Sequence, residues 1–451
     1  MFLVDFVDGL KSLRLNLKKA FNFYNLVLIL GLVARVLWIY WVRTKPISDF
    51  DYYQRLATQI ALGGEWGNTY TTVGYPIFLA PFYWLLGSST WVAKTLNLVL
   101  STLNNLLVLK ILKKIRITEP LAKLVFVLYV FFPMNIYYNS LVASEILFTT
   151  LILLATYSYL CDIKYQYVLI GVLTGLNTMI KPFFPLFAFA VILSDLLSQK
   201  GFWKCMRHGF IILLMAGVII APWLYRNYRY NGEFTYVSNN AGVVLYINNN
   251  SQNKLSGWMP AENVENSIVN KPEYRSANQT EKNKMLSRAA KEWILGHPKE
   301  YISLGFKRIK RTFIEYGNKN YGDIFLAFYG SGIPSSLQVK WFEATETIRA
   351  PLFIGGFMSI LVQTIIYLGS RFTTRGKEPF NTIMGDDSSP SRIKGCLLLL
   401  ISFYMFAGVY FLTEGQRRYA FPTILSLIFY AVLGIGEIWY TIKWSLIKLR
   451  G

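Results

Sequence analysis

The chain has 451 residues, of which 53% are hydrophobic and 16% aromatic, and its mean hydropathy is +0.35. This composition excludes an ordinary soluble domain and indicates an integral membrane protein, because apolar runs of spanning length recur along the sequence. A net charge of +21 could suit nucleic acid, but many Lys and Arg residues stand in short clusters between apolar runs, where they set topology and meet anionic lipid. We therefore expect membrane lipid, and not nucleic acid, as a partner.

The first 24 residues form a basic amphipathic lead without a small-residue cleavage site, which predicts a retained interfacial helix on the cytoplasmic side. Beyond it, apolar windows of roughly 20 residues predict about ten spanning helices. Their centres lie near Leu32, Leu98, Val130, Leu153, Val172, Ala190, Met215, Ser359, Phe403 and Val432. The sequence thus predicts an all-α polytopic membrane protein.

Positive charge assigns the loops to the two sides of the membrane. With a cytoplasmic N-terminus, the loops that fall inside carry clusters such as Lys113, Lys114 and Arg116, in agreement with the positive-inside rule. The predicted regions are a transmembrane module over 25–224 with a long first external loop at 44–90, an external cap over 225–349, and C-terminal spanning helices over 350–451 with a cytoplasmic linker at 371–394. We expect a multi-pass protein of the cytoplasmic (inner or plasma) membrane.

The first external loop begins with two acids. Asp49 and Asp51 stand in "SDFDYYQRLATQI", directly after the first apolar run. An acid in the first turn of a helix is favoured by the free backbone N–H groups and the macrodipole, so a capping role is sufficient for either residue. The loop then continues into "GEWGNTYTTVGYPIFLAPFYWLLG", which is more elaborate than a simple connector and favours a functional role for Asp49.

Several motifs carry a family resemblance. Asp49 is followed at intervals of four residues by Tyr53 and Ala57, then by "GG" and the "GYP" segment. Further along come "YNSLVASEILFTTLILLA", "IKPFFPLF", "APWLYRNYRYNGEFTYVSNNAGVVLYINNN" and "GQRRYAFP". In this order the set resembles bacterial GT-C glycosyltransferases, in particular the family 39-like branch with protein O-mannosyltransferases and aminoarabinose lipid A transferases.

This resemblance implies a GT-C-type bundle with an extracytoplasmic cap, and transfer of a sugar from a polyprenyl-phosphate donor on the extracytoplasmic face. The acceptor would be a lipid, glycan or protein, and the first external loop would be catalytic. Asp49 and Glu145 take the acidic, catalytic positions. The donor phosphate would be bound by Lys181, Arg226, Arg417 and Arg418. The substrate would contact Asp51, Tyr53, Arg55, Trp66 and Tyr75.

The residue types suit this chemistry. A carboxylate at the water boundary can take the proton of the acceptor hydroxyl as the nucleophile attacks the anomeric carbon, and we assign that role to Asp49. Cationic side chains can stabilise the charge that accumulates on the departing lipid phosphate. No metal is required, although a divalent cation bridging Asp49, Glu145 and the phosphate is an open alternative.

Structural roles remain as alternatives for each residue. Glu145 can cap a helix, Lys181 can extend from a helix end towards water, and the three arginines can anchor at lipid headgroups. At the level of function, two rivals stay open. One is a transporter or flippase of lipid-linked sugars, which would place charges near the membrane midplane; the other is a GT-C-like polysaccharide polymerase or ligase.

Overall fold

The computed structural model describes residues 22–161, 163–198, 200–254, 257–315, 322–372 and 390–448. Most of the predicted interfacial helix (1–24) and of the predicted linker (371–394) lies outside these ranges. The α-helices in chain order are α1 (Phe23–Trp41), α2 (Asp49–Ala61), α3 (Gly74–Leu86), α4 (Thr90–Ile115), α5 (Glu119–Val130), α6 (Pro133–Tyr137), α7 (Glu145–Leu160), α8 (Gln166–Ile180), α9 (Phe187–Leu197), α10 (Phe202–Asn231), α11 (Ala241–Asn248), α12 (Pro272–Ser276), α13 (Gln279–Gly296), α14 (Pro298–Ile309), α15 (Gly322–Phe328), α16 (Ser335–Phe372), α17 (Pro390–Leu412) and α18 (Ile424–Lys448).

Among the described residues, six helical segments are long and apolar enough to cross a membrane: α1, α4, α10, α16, α17 and Arg417–Tyr440, which contains most of α18. Helices α5 and α6 pass the same test as a pair bent by 49°, and the bend falls where Pro133 opens α6 and cannot continue the hydrogen bonding of α5. Helices α3, α7, α8 and the segment containing α9 are shorter and apolar. Each of the ten predicted centres lies in one of these apolar helices, so the predicted all-α polytopic membrane fold is confirmed.

Close helix packing in the bundle depends on glycine. Gly171 and Gly175 stand four residues apart on α8 and face α10. A Cβ atom at Gly175 would lie 2.6 Å from the Cβ of Ile219, and one at Gly171 would lie 2.8 Å from the carbonyl oxygen of Ile212. Two small residues at this spacing let two backbones approach closely in an apolar environment. They fix α8, and with it the end of α8 that leads to Lys181.

The polar segment between α10 and α16 is folded and attached to the bundle. Within it, helix α13 begins with a capping box between Asn278 and Glu281 and packs on α11 around a small apolar core. Helices α13 and α14 meet at Pro298. The fully buried Arg308 on α14 donates hydrogen bonds to the carbonyl oxygens of Phe411, at 2.8 Å, and Asn248, at 2.6 Å. One guanidinium therefore joins α14, α11 and the end of α17.

The "GYP" segment is held against the end of α8. Gly74 begins α3, and a Cβ atom there would lie 2.7 Å from both the carbonyl carbon and the carbonyl oxygen of Met179. Glycine is required at this position because no other residue leaves room for that backbone contact. The contact places the start of α3 two residues from Lys181.

Candidate functional site

A cavity of about 380 Å³ lies where α7 begins and where α8 and α17 end, within the size range of about 300–1,000 Å³ that is typical of small-molecule sites. Most of its wall is apolar or aromatic, and the N-terminal turn of α11 covers one side. Four charged residues line it: Glu145, Lys181, Glu414 and Arg418. Three of these four were predicted from the sequence as site residues, so the structure brings them to one cavity.

Glu145 and Lys181 face this cavity, and the described residues provide no hydrogen-bond or ion-pair partner for the Glu145 Oε2 atom or the Lys181 ammonium. Glu145 is the first residue of α7 and is 4% exposed, and its Oε2 atom has no hydrogen-bond partner among the described residues. The Lys181 ammonium likewise makes no hydrogen bond or ion pair within the described ranges, although it lies within electrostatic range of Glu145, Arg418 and Asp49. Buried charges are normally paired. The carboxylate and the ammonium on this cavity are therefore available to bind polar groups.

Arg418 connects the cavity to Asp49. Its Nη2 atom donates to the Asp49 Oδ2 atom at 3.1 Å, and the Asp49 side chain is 48% exposed. Asp49 does not itself line the cavity, and its carboxylate is connected to the cavity through the Arg418 guanidinium. Asp49 also follows Ser48, a non-glycine residue with φ of 54°, and such a backbone costs energy that surrounding structure must offset. The chain thus holds the carboxylate beside the wall of the cavity.

Tyr53 and Tyr75 are two buried tyrosines in contact with each other, and Tyr53 lies near the Asp49 carboxylate. Tyr53 is buried on the next turn of α2, and its ring meets that of Tyr75 edge-to-face, with centroids 5.6 Å apart. Burial, and then the carboxylates of Asp49 and Glu145, raise the pKa of Tyr53, so its phenol stays neutral and can donate a hydrogen bond. The Tyr75 hydroxyl is buried without a partner within the described part of the chain. Neither tyrosine lines the cavity.

The side chains of Arg417 and Arg418 point in different directions. Its Nη1 atom lies 3.3 Å from the Oε1 atom of buried Glu346, and its Nη2 atom donates to the Glu315 carbonyl oxygen at 3.3 Å. Arg349, also buried, forms a second ion pair with Glu346 at 2.7 Å. The arginine pair predicted from the sequence is therefore divided between this network and the cavity, and phosphate binding by Arg417 stays an untested prediction.

Arg226 is also outside the cavity. Its guanidinium packs on the rings of Trp223, at 4.8 Å, and Tyr230, at 4.6 Å, and donates to the Gly67 carbonyl oxygen. These contacts attach the loop before α3 to the end of α10. Trp66, next to Gly67, is 47% exposed and lies in a separate apolar groove between α2 and α3.

Asp51 and Arg55 form an ion pair with each other. The Arg55 Nε atom lies 2.8 Å from the Asp51 Oδ2 atom, one turn along α2, and both side chains are largely exposed. Such a pair contributes about 0.3–0.5 kcal/mol. The substrate contacts predicted for these two residues, and for Tyr53, Trp66 and Tyr75, are tested by no observation on this structure.

Glu414 is a cavity residue that the sequence did not identify. It is buried, and its two carboxylate oxygens accept hydrogen bonds from Gln416, at 2.5 Å, and from the Tyr419 hydroxyl, at 2.7 Å. Asn240, at the start of α11, and Tyr410 also line the cavity. Among the described residues, no group of three or more His, Cys, Asp or Glu side chains is placed to hold a metal ion, and the cation bridging Asp49 and Glu145 stays an untested alternative.

No protein-family model and no curated protein matches this chain. Among solved structures, the apo oligosaccharyltransferase of Archaeoglobus fulgidus matches with a TM-score of 0.50 and 12% identity, over 96% of this chain and 52% of the other. The chain has the GT-C fold. A structure of ArnT from Cupriavidus metallidurans bound to undecaprenyl phosphate is also similar, with a TM-score of 0.40 and 12% identity, over 91% of this chain and 77% of that one. The GT-C fold expected from the motifs is confirmed, and this chain spans about half the length of the oligosaccharyltransferase chain that it matches.

Proposed function

We propose that the protein is a membrane glycosyltransferase that moves a sugar from a polyprenyl-phosphate donor to a lipid, glycan or protein acceptor, with inversion at the anomeric carbon. The observation that carries this proposal is the pair of unpartnered charges, Lys181 and Glu145, on one cavity whose wall continues through Arg418 to Asp49. The GT-C fold, which the chain shares with an oligosaccharyltransferase, supports the same class of reaction.

We place the donor phosphate between Lys181 and Arg418. Lys181 offers an ammonium that no described residue engages, and Arg418 has a buried Nε atom without a partner. As the bond between the anomeric carbon and the phosphate oxygen breaks, negative charge accumulates on that oxygen. Hydrogen bonds from charged groups contribute about 1.5–3 kcal/mol each, so these two donors can stabilise the departing phosphate substantially.

Asp49 is the proposed base. Arg418 engages its Oδ2 atom, and the half-exposed carboxylate can receive an acceptor hydroxyl from the water side. The acceptor oxygen forms a bond to the anomeric carbon, its proton passes to Asp49, and the lipid phosphate leaves with the electron pair of the broken bond. This is a single displacement, and it inverts the anomeric centre.

Glu145 is assigned to the sugar. Its unpartnered Oε2 atom is a buried hydrogen-bond acceptor at the N-terminus of α7, and a donor sugar hydroxyl beside the phosphate would satisfy it. The prenyl tail would leave the cavity along its apolar and aromatic wall, which includes Phe148, Phe183 and Val409. With a cytoplasmic N-terminus, this end of the bundle faces the extracytoplasmic side of the inner or plasma membrane, and the described residues of the segment 225–349 would form a cap on that side.

Mass spectrometry of lipids that copurify with the protein tests this proposal. We expect polyprenyl phosphate or its glycoside with the wild-type protein, and much less with Lys181→Met. The matched control is Lys110→Met, since Lys110 is an exposed residue of α4 whose ammonium lies over the Tyr157 ring, 5.6 Å from its centroid. Absence of any prenyl lipid, together with no binding of added polyprenyl phosphate by the wild-type protein, would refute the proposal.

A transport assay separates the enzyme from a flippase. Reconstituted protein receives a labelled polyprenyl-phosphate sugar, and both movement of the lipid across the bilayer and release of polyprenyl phosphate are measured. The proposal predicts release of polyprenyl phosphate with the sugar found on an acceptor. Movement of intact donor without cleavage would favour the flippase. Competition between monophosphate and diphosphate carriers tests the polymerase or ligase alternative in the same assay.

A further inference from the structure

A second cavity, of about 590 Å³, lies at the other end of α8 from Lys181. It is formed by residues 163–168, before and in the first turn of α8, and by Arg207, His208 and Ile211 of α10. Helix α8 has 15 residues and is therefore about 22 Å long. The two cavities stand at opposite ends of the bundle, so the second is independent of the proposed transfer site.

The second cavity is basic. Lys164 and Arg207 line it, and neither forms an ion pair with a carboxylate within the described part of the chain. Lys164 instead lies over the ring of Tyr165, at 5.0 Å from the ring centroid. No acidic side chain is among the residues that line the cavity in the described ranges. Two cations without an ion-pair partner among the described residues favour an anionic ligand.

One histidine of the cavity is held in a fixed orientation. His208 is 4% exposed, its ring stacks on that of Tyr167 with centroids 3.7 Å apart, and its Nδ1 atom lies 2.9 Å from an oxygen of Asp195. Asp195 is also bonded by Tyr159, at 2.6 Å, and by Lys200, at 2.6 Å. Because Nδ1 faces Asp195, the opposite ring nitrogen is the polar atom that His208 presents to the cavity. Because the Asp195 carboxylate accepts from Nδ1–H, this other nitrogen of the neutral ring is a hydrogen-bond acceptor and suits a hydroxyl group of a ligand.

Backbone N–H groups add to the site. Helix α8 begins after Tyr165, whose φ is +66° and whose side chain does not cap the helix. The N–H groups of Tyr167 and Val168 have no backbone partner among the described residues. Unpaired N–H groups at a helix N-terminus attract anions. They lie on the same cavity as the two cations and the histidine.

The surroundings are those of a membrane surface. Large apolar side chains are exposed around this end of α8 and α10, among them Tyr165, Phe202 and Trp203, the last of which is 82% exposed. They alternate with Lys164, Lys204 and Arg207. Exposed aromatic residues mixed with Lys and Arg are typical of the membrane–water interface, and basic pockets between helices there bind lipid headgroups.

We propose that this second cavity binds the headgroup of an anionic phospholipid, with the phosphodiester held by Lys164, Arg207 and the first turn of α8, and with a headgroup hydroxyl donating to His208. The lipid chains lie along the exposed apolar faces of α8 and α10. A bound lipid joins α8 and α10 at the end opposite the transfer site. This end lies beyond the contacts that Gly171 and Gly175 of α8 make with α10.

Native mass spectrometry of the full-length protein in detergent tests the site, with phosphatidylglycerol as the probe. The variant Lys164→Gln/Arg207→Gln removes two exposed cations, and the matched control is Lys204→Gln, an exposed lysine of the same end that does not line the cavity. Two cationic contacts at a membrane surface correspond to roughly 30-fold in affinity. We expect that loss in the double variant and unchanged binding in the control.

Two comparison ligands identify the source of the anion. Phosphatidylcholine carries the same phosphodiester with a compensating cation. We expect it to bind weakly and equally to the wild-type protein, the double variant and the Lys204→Gln control. Inorganic phosphate at millimolar concentration should not displace phosphatidylglycerol. Equal phosphatidylglycerol binding by the wild-type protein and the double variant would overturn the proposal, and displacement by inorganic phosphate would assign the cavity to a soluble anion. Because lipid binding is measured without a glycosyl donor, neither result depends on the transferase proposal.

Discussion

Replacement of Lys181 by methionine separates a phosphate-binding role from a purely structural one. The ammonium lines the cavity and makes no hydrogen bond or ion pair with the described residues. Methionine is apolar and of similar length, so it keeps the packing of the side chain while removing the charge. The two roles predict different results for activity and for stability.

The expected magnitude comes from the contact that is lost. A hydrogen bond between a charged donor and the phosphate contributes about 1.5–3 kcal/mol, which corresponds to a fall in kcat/KM of roughly 10- to 150-fold. Thermal stability should stay unchanged or rise, because a partly buried ammonium without a partner among the described residues costs desolvation energy in the folded state. Loss of activity without loss of stability is therefore the expected result.

Donor turnover and thermal unfolding are measured on the same detergent preparations. Lys181→Met is compared with the wild-type protein and with Lys110→Met, which removes an exposed lysine of α4 and should change neither quantity. Wild-type kcat/KM in Lys181→Met would refute the phosphate-binding role. A large loss of stability in that variant would show that the ammonium is paired in the folded protein.

Two further substitutions test the surroundings of the cavity. Arg417→Gln should lower the unfolding free energy by about 1–3 kcal/mol, because Glu346 loses one of its two cations. The same variant should raise the donor KM less than Lys181→Met does. An equal rise in KM would support the phosphate contact that the sequence predicts for Arg417. Gly74→Ala should destabilise the protein by about 1–3 kcal/mol in a thermal unfolding assay, since the alanine methyl group would lie 2.7 Å from the Met179 backbone. Wild-type stability of this variant would contradict that close contact.

Hydropathy was sufficient to predict the bundle but not the lengths of its helices. All ten centres lie in apolar helices, yet α7 and α8 have 16 and 15 residues, fewer than the roughly 20 needed to cross a bilayer. A sliding window averages over the breaks at Ser144 and Lys181, where the charged site residues stand. The break at Lys181 has a local cause, since Pro182 disfavours a helical conformation of the residue before it, and the window average concealed it.

The candidate site was predictable where a motif marked it. Glu145, Lys181 and Arg418 were identified from motifs and line one cavity. Sequence could not distinguish Arg417 from Arg418, because adjacent residues of one short helical turn point in different directions, and a buried partner 71 positions earlier, Glu346, decides which guanidinium turns away. Glu414 was missed because a single acid after a spanning helix resembles an ordinary boundary residue.

Turnover by Asp49→Asn protein tests the central claim most directly. Purified wild-type protein, Asp49→Asn and the control Glu119→Gln, an exposed carboxylate at the start of α5, receive a labelled polyprenyl-phosphate sugar, and donor binding and sugar transfer are measured separately. Loss of a general base lowers the rate by about 10²–10⁴-fold. We predict that loss of transfer in Asp49→Asn with donor still bound, and normal transfer in the control. Full transfer by Asp49→Asn would contradict the account.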